Sequence, residues 1–247
     1  MQDIQKSALP LLYAELSALN GEIHGKLRLR PAETLAVLRG VNAVPLTADE
    51  FVLAQRFFPI VFSADDQPVP LALMGLNEGE NVFITADDKW RDSDIYLPAY
   101  VRRYPFLLAK IDEKTEKFAL LFDTKSEILG EYKDGVALFE DGEPTPTTND
   151  ILKFNEHFEL AGQKTVALVD ELIKHDLLMD GEVAIQKSGE DKPFVYRGFK
   201  MVNAEKLNEL PESILAGMVR SGVLKIVFAH LASIQIMREL FAKKRAN

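Results

Sequence analysis

Up to about residue 145 the apolar positions come in short runs cut by turn residues, and beyond it they recur at helical spacing. The stretch Phe57–Leu76, FFPIVFSADDQPVPLALMGL, holds two apolar runs separated by the turn-rich Asp65-Asp66-Gln67-Pro68, a pattern that predicts two antiparallel strands. Residues 81–85 continue this extended pattern. FLLAKIDEKTEKFALLFD predicts a hairpin, its apolar runs flanking the charged Asp112–Lys117 connection. Thr47 stands three residues before Glu50, a capping-box spacing, and opens a short helix that places Phe51, Ala54, Phe57 and Phe58 on one side before Pro59 stops it.

The segment from Asp141 to Pro146 reads as a linker or long turn, after which the period changes. Leu152, Phe158, Ala161, Thr165, Leu168, Leu172 and His175 mark one face of a long helix between about 149 and 176. GEVAIQ and FVYRGFKMV then predict a second hairpin, near 182–202, around the turn-forming Ser188–Pro193. A last helix follows Gly222, with Val223, Val227, His230, Ile234, Met237 and Phe241 alternating steps of four and three, and Lys243, Lys244 and Arg245 at its negative end. Together these elements predict an α+β protein: a β-rich part with short helices over 1–145, and a helical part containing one hairpin over 146–247. The alternative is a single integrated domain.

Composition narrows the function classes. With 247 residues and 47% apolar content the chain is long enough to bury a core without staples. Its 38 acidic against 29 basic residues give a net charge of −9, the wrong sign for nucleic acid, whose binding rests on cations neutralising phosphates. Cysteine is absent, which removes thiolate catalysis and thiolate metal sites. Asp3 precedes any lysine and Pro10 follows, unlike a secretory leader, so a cytoplasmic location is expected. The apolar stretch from Val223 to Met237 is broken by Lys225, His230 and Gln235, and no transmembrane helix is expected.

Candidate chemistry concentrates in residues 81–106, NVFITADDKWRDSDIYLPAYVRRYPF, which gather the only tryptophan, three tyrosines, a cluster of aspartates and three arginines. Pro98 and Pro105 bracket about a turn and a half of helix, with Tyr100 and Tyr104 on a common face. Arg102 and Arg103 are adjacent and must diverge, leaving one guanidinium to fork onto an anion while Trp90, Tyr96 or Tyr100 offers an aromatic surface. The competing reading pairs these arginines with Asp87, Asp88, Asp92 or Asp94 and fastens a loop. His24, in a glycine-flanked turn, joins the ligand-binding candidates. His157-Phe158-Glu159 has the H-x-E form of an iron(II) site, with His175 or His230 to complete it, but on a helix i and i+2 diverge. His230, inside the apolar stripe, reads equally as a core histidine. No nucleotide-binding, nucleophile-elbow or zinc-peptidase motif is present in the sequence, and no cofactor is implied.

Phe58-Pro59-Ile60-Val61-Phe62, Ala72 to Leu76, Asn81-Val82-Phe83, Trp90 and the run from Tyr96 to Phe106 resemble the SapC family of bacterial proteins. So do GVALFEDG at 135–142, Leu177-Leu178 and the stretch from Gly198 to Leu210. The resemblance implies a bacterial protein associated with surface-layer or outer-membrane uptake systems, and it supplies no catalytic residues. Similar proteins are labelled peptide-transport permeases, which a chain without an expected span does not suit. The leading expectation is an accessory protein that binds an anionic, peptide or sugar-like group, or a protein partner, through Trp90, Tyr96, Tyr100, Arg102, Arg103 and His24. The alternatives are an enzyme built on a histidine or on iron held by His157, Glu159 and His230, and a homo-oligomeric structural subunit using the stripe of the last helix as its interface.

Overall fold

The computed structural model describes residues 9–112, 117–186 and 192–245. Antiparallel sheets and helices share the chain, as an α+β fold requires. The chain forms two compact units and passes between them: residues 1–37 and 101–160 belong to the first, 38–100 and 161–247 to the second.

The first unit is built on the predicted hairpin, Phe106–Asp112 against Lys117–Asp123, with Leu16–Ala18 added along the second strand. Alternation puts Phe106, Leu120 and Phe122 into a core completed by Leu129, Leu138 and Phe139, and Ile151 and Leu152 of the long helix Pro146–Lys174 pack against it. Asp123, 1% exposed, closes this sheet as a polar rivet. Its carboxylate accepts from the backbone N–H groups of Ala14, Glu15 and Lys125 at 2.9–3.1 Å. Two further small sheets, one of them centred on Arg28–Leu29, complete the unit.

The second unit carries a five-stranded antiparallel sheet in the order Leu178–Ile185, Phe194–Val202, Ile60–Phe62, Pro70–Leu73, Ala43–Pro45. Strands from both sides of residue 145 therefore pair in one sheet, Lys200 opposite Phe62, so the change of sequence period at 145 falls inside the architecture rather than between its parts. Phe51, Phe58, Ile60, Phe62 and Phe83 are fully buried, each side chain worth about 2 kcal/mol of apolar transfer. Val227, His230, Ile234, Met237 and Phe241 all face this core. The stripe is thus spent within the unit and is not an exposed interface.

Several expectations change in detail. The last helix is three pieces, Val223–Ser233, a 3-10 turn at Ile234–Ile236, and Met237–Arg245. Ahead of it lies a helix the spacing did not reveal, Glu212–Ser221, ended by Gly222 at φ 81°. Residues 81–85 form no strand; only a bridge between Ile84 and Trp90 marks them. His24 ends a one-turn helix, Gly21–His24, rather than standing in an open turn. The Asp112–Lys117 connection and the Ser188–Pro193 turn lie mostly outside the described residues. No single described helix is long and apolar enough to cross a membrane; Glu212–Ser221 and the helix from Val223 satisfy that test only jointly, across an 89° bend.

Candidate functional site

The cluster at 81–106 divides between the two units after Tyr100. In the second unit its members are engaged. Trp90 stacks on Phe83 at 5.7 Å between centroids, and its indole N–H donates to Ile95 O at 3.0 Å. The Tyr96 hydroxyl donates to Glu50 Oε1 at 2.8 Å, and Tyr100 is 5% exposed. Glu50 is the centre of this knot. The capping-box spacing is realised as its Oε2 accepting from Thr47 N–H and Oγ1 at 2.9 and 2.8 Å, while Oε1 also takes the Ala99 N–H at 2.7 Å. A carboxylate this buried is tolerable because four donors converge on it.

Two of the aspartates that competed for the arginines pair with other cations of this unit. Asp88 pairs with Arg39 and Asp87 with Lys89 and Thr85. A polar cleft of about 650 Å³ lies here, lined by Arg39, Asn81, Thr85, Asp88 and Arg91. Its Arg91 donates from Nε to Val82 O at 2.8 Å, so both of its guanidiniums are tied to the protein.

Arg102 and Arg103 belong to the first unit and line a different cleft, of about 510 Å³, together with Arg30, Phe154, Asn155 and the apolar Ile128 and Ile151. Arg102 is the last residue of the short helix Ala99–Arg102, where Pro105 bars continuation. The expected divergence of the pair occurs: Arg102 is exposed, while Arg103 is 9% exposed. Each lies over an aromatic ring of the long helix, Arg102 over Phe154 at 5.2 Å and Arg103 over Phe158 at 4.2 Å. Because those rings are four residues apart they stand on one helix face, and a guanidinium stacked on a ring still presents its N–H edge. Arg103 also approaches Glu159 at 3.4 Å. Burial pushes the Glu159 carboxyl above its ordinary range, and the nearby Arg103 cation only partly opposes this.

Tyr104, also in the cleft wall, meets Tyr13 at 5.4 Å and approaches Asp123 Oδ2 at 3.4 Å; burial raises its phenol above the ordinary value. Arg30 is held over the Tyr132 ring at 3.6 Å and pairs with Asp134. The lining thus holds three arginines and Asp150, with Arg30 paired to Asp134 and Arg103 beside Glu159, so that Arg102 is the exposed cation of this cleft.

The remaining candidates are dispersed. His24 sets its ring edge-on to Phe122 at 5.0 Å and accepts the Asn20 N–H on Nδ1, a small structural cap. His157 is exposed, Glu159 turns to Arg103, and His230 is fully buried with both nitrogens occupied: Nδ1 bonds Ile60 O at 2.8 Å and Nε2 accepts the Val202 N–H at 3.0 Å. The iron alternative on His157, Glu159 and His230 is therefore not assembled. Nor is His175 available in the same way, since Glu171 holds it at 3.0 Å. Among the described residues no group of three histidine or carboxylate side chains is placed to hold a metal ion.

Sequence reasoning missed Phe154, Phe158 and Asn155, which the periodic pattern treated as ordinary helix positions. Only the i, i+4 spacing of the two phenylalanines hinted at a shared role.

Fold and site define an α+β protein of two compact units, one of which carries an arginine-lined cleft of small-molecule size. The chain belongs to the SapC family, whose sequence model matches residues 19–240. No curated protein and no solved structure matches it.

Proposed function

We propose that the protein is a binding protein for a small organic anion, taken up in the cleft of the first unit with Arg102 as the accessible cation and Arg103 behind it. The observation that carries this reading is the pair of guanidiniums braced on Phe154 and Phe158 at the wall of a 510 Å³ cleft. Stacked arginines are held in place before a ligand arrives, so less side-chain freedom is lost on binding. Trp90, Tyr96 and Tyr100 serve the second unit's core and knot in this reading, and Phe154 takes the aromatic role expected of them. The surface-layer or uptake context implied by the SapC resemblance supplies the setting: an accessory protein that presents or senses an anionic metabolite.

The test is a thermal-shift screen of the full chain against organic anions, run in parallel on Arg102→Ala. Ligand at a hundredfold over its dissociation constant stabilises by about 2.7 kcal/mol, a shift of a few degrees. That shift should vanish in Arg102→Ala. A chain that responds to no anion, or a variant that responds as the wild type does, would sink the proposal.

A further inference from the structure

Residues 213–237 contain no aspartate or glutamate, in a chain where these fill 38 of 247 positions. Apart from the buried His230, the charged side chains in this stretch are Arg220 and Lys225. Both are exposed, and among the described residues neither pairs with a carboxylate. The stretch forms the helices Glu212–Ser221 and Val223–Ser233, which meet at 89° across Gly222. On the second helix Val227, His230 and Ile234 face the core, so Lys225, Phe228 and Ala232, spaced by three and four, share the outward face. Phe228 is 57% exposed there. Just before the bend Val219, 62% exposed, stands next to Arg220, while Met218 turns inward. A solvated helix face ordinarily carries polar side chains and charges of both signs. Around this bend the outward side chains are apolar or cationic, and the nearest acid on the first helix is Glu212, two turns away.

We infer that this bend is a peripheral docking surface for an anionic lipid bilayer, with Phe228 and Val219 entering the boundary between headgroups and acyl chains and Arg220 and Lys225 meeting lipid phosphates. Charge chooses the occupant. A second copy of the chain, related by a two-fold axis, would set the same unpaired cations against one another. A bilayer of anionic lipid offers them counter-charges and offers the two apolar side chains a place out of water. The 89° bend keeps the helices from forming one straight span, so the contact lies on the surface rather than through it. The overall charge of −9 does not forbid it, because at physiological salt charges beyond about 8 Å are largely screened and the local cations dominate. Nothing in this inference depends on the cleft of the first unit.

Co-sedimentation of the full chain with two kinds of vesicle tests it: phosphatidylglycerol and phosphatidylcholine in equal parts, and phosphatidylcholine alone. The chain should partition onto the phosphatidylglycerol vesicles, and less so as sodium chloride is raised. Each cation near such a surface is worth about fivefold in affinity, so the double variant Arg220→Gln, Lys225→Gln should bind roughly 25-fold more weakly and lose most of the salt dependence. Phe228→Gln should weaken binding roughly tenfold and keep the salt dependence. Val136→Gln, at a valine of the first unit that is 51% exposed, should bind as the wild type does. Binding to neither vesicle, equal binding to both, or an affinity unchanged by either bend variant overturns the inference, as does a loss in Val136→Gln equal to that in Phe228→Gln. Binding to poly-L-glutamate with none to vesicles assigns the face to an acidic protein and overturns the lipid. Should Phe228→Gln fail to fold, the double variant, at two exposed charges, still decides.

Discussion

The two clefts hold similar residues to opposite ends. In the second unit Arg39 and Arg91 are bound to Asp88 and to Val82 O, and elsewhere in that unit Glu50 collects four donors. In the first, Arg102 and Arg103 lie on aromatic rings, Arg103 also approaches Glu159, and the buried Asn155 Oδ1 has no hydrogen-bond partner. Charge density alone does not separate a site from a fastening. What separates them is how the guanidiniums are held: on a carboxylate and a carbonyl in the one, over aromatic rings in the other, where Arg103 also approaches Glu159.

The comparison breaks most visibly at Glu50. Glu50→Ala strands the Thr47 and Ala99 N–H groups and the Tyr96 hydroxyl, and a loss of about 3–5 kcal/mol is expected in chemical denaturation. A loss below about 1 kcal/mol would show that the knot is not a structural fastening. His230 applies the same logic to pH. Burial lowers its pKa from 6.5 to about 4, with the bond to Ile60 O opposing the shift. The unfolded chain therefore binds the proton first, so this contribution is complete above pH 6.5, declines as pH falls from 6.5 to about 4, and is gone below. The span amounts to about 3 kcal/mol. NMR titration of the His230 ring checks it, and a midpoint near 6.5 would remove it.

What the sequence made legible follows from periodicity. Both hairpins, the long helix and the buried stripe ending at Phe241 are patterns of period two or of three and four, which report which face is apolar. The Thr47–Glu50 box was visible because it is local, yet its use of Tyr96 and Ala99 was not, since these lie more than forty positions away and no local rule links them. Residues 81–106 attracted attention by composition, but composition could not place the break after Tyr100 that gives Trp90, Arg91 and Tyr96 to one unit and Arg102 and Arg103 to the other. Asn155 had no signal at all. A polar residue in a helical run looks solvated until the tertiary fold buries it.

Trp90 sharpens the contrast at smaller scale. Trp90→Phe keeps a ring against Phe83 but deletes the donor to Ile95 O, for an expected loss of about 1–2 kcal/mol measured by denaturation. No change in stability would show that the indole N–H is not needed where it is, and would return Trp90 to the list of binding residues.

The smallest effect is the most discriminating. Asn155→Leu removes one hydrogen bond, to Ile151 O, and with it an acceptor that has no partner. The two consequences oppose each other, because losing the bond costs about 1 kcal/mol while relieving the buried oxygen returns about 1–3 kcal/mol. Stability should stay within about 1 kcal/mol of the wild type or rise, in contrast to Glu50→Ala although both residues are buried and polar. Arg102→Ala, at an exposed position, should likewise shift stability by about 0.5 kcal/mol or less. If Asn155→Leu instead destabilises as Glu50→Ala does, the Asn155 side chain is as much a fastening as Glu50; if it does not, the difference lies in the partners, four donors on the Glu50 carboxylate against none on Asn155 Oδ1.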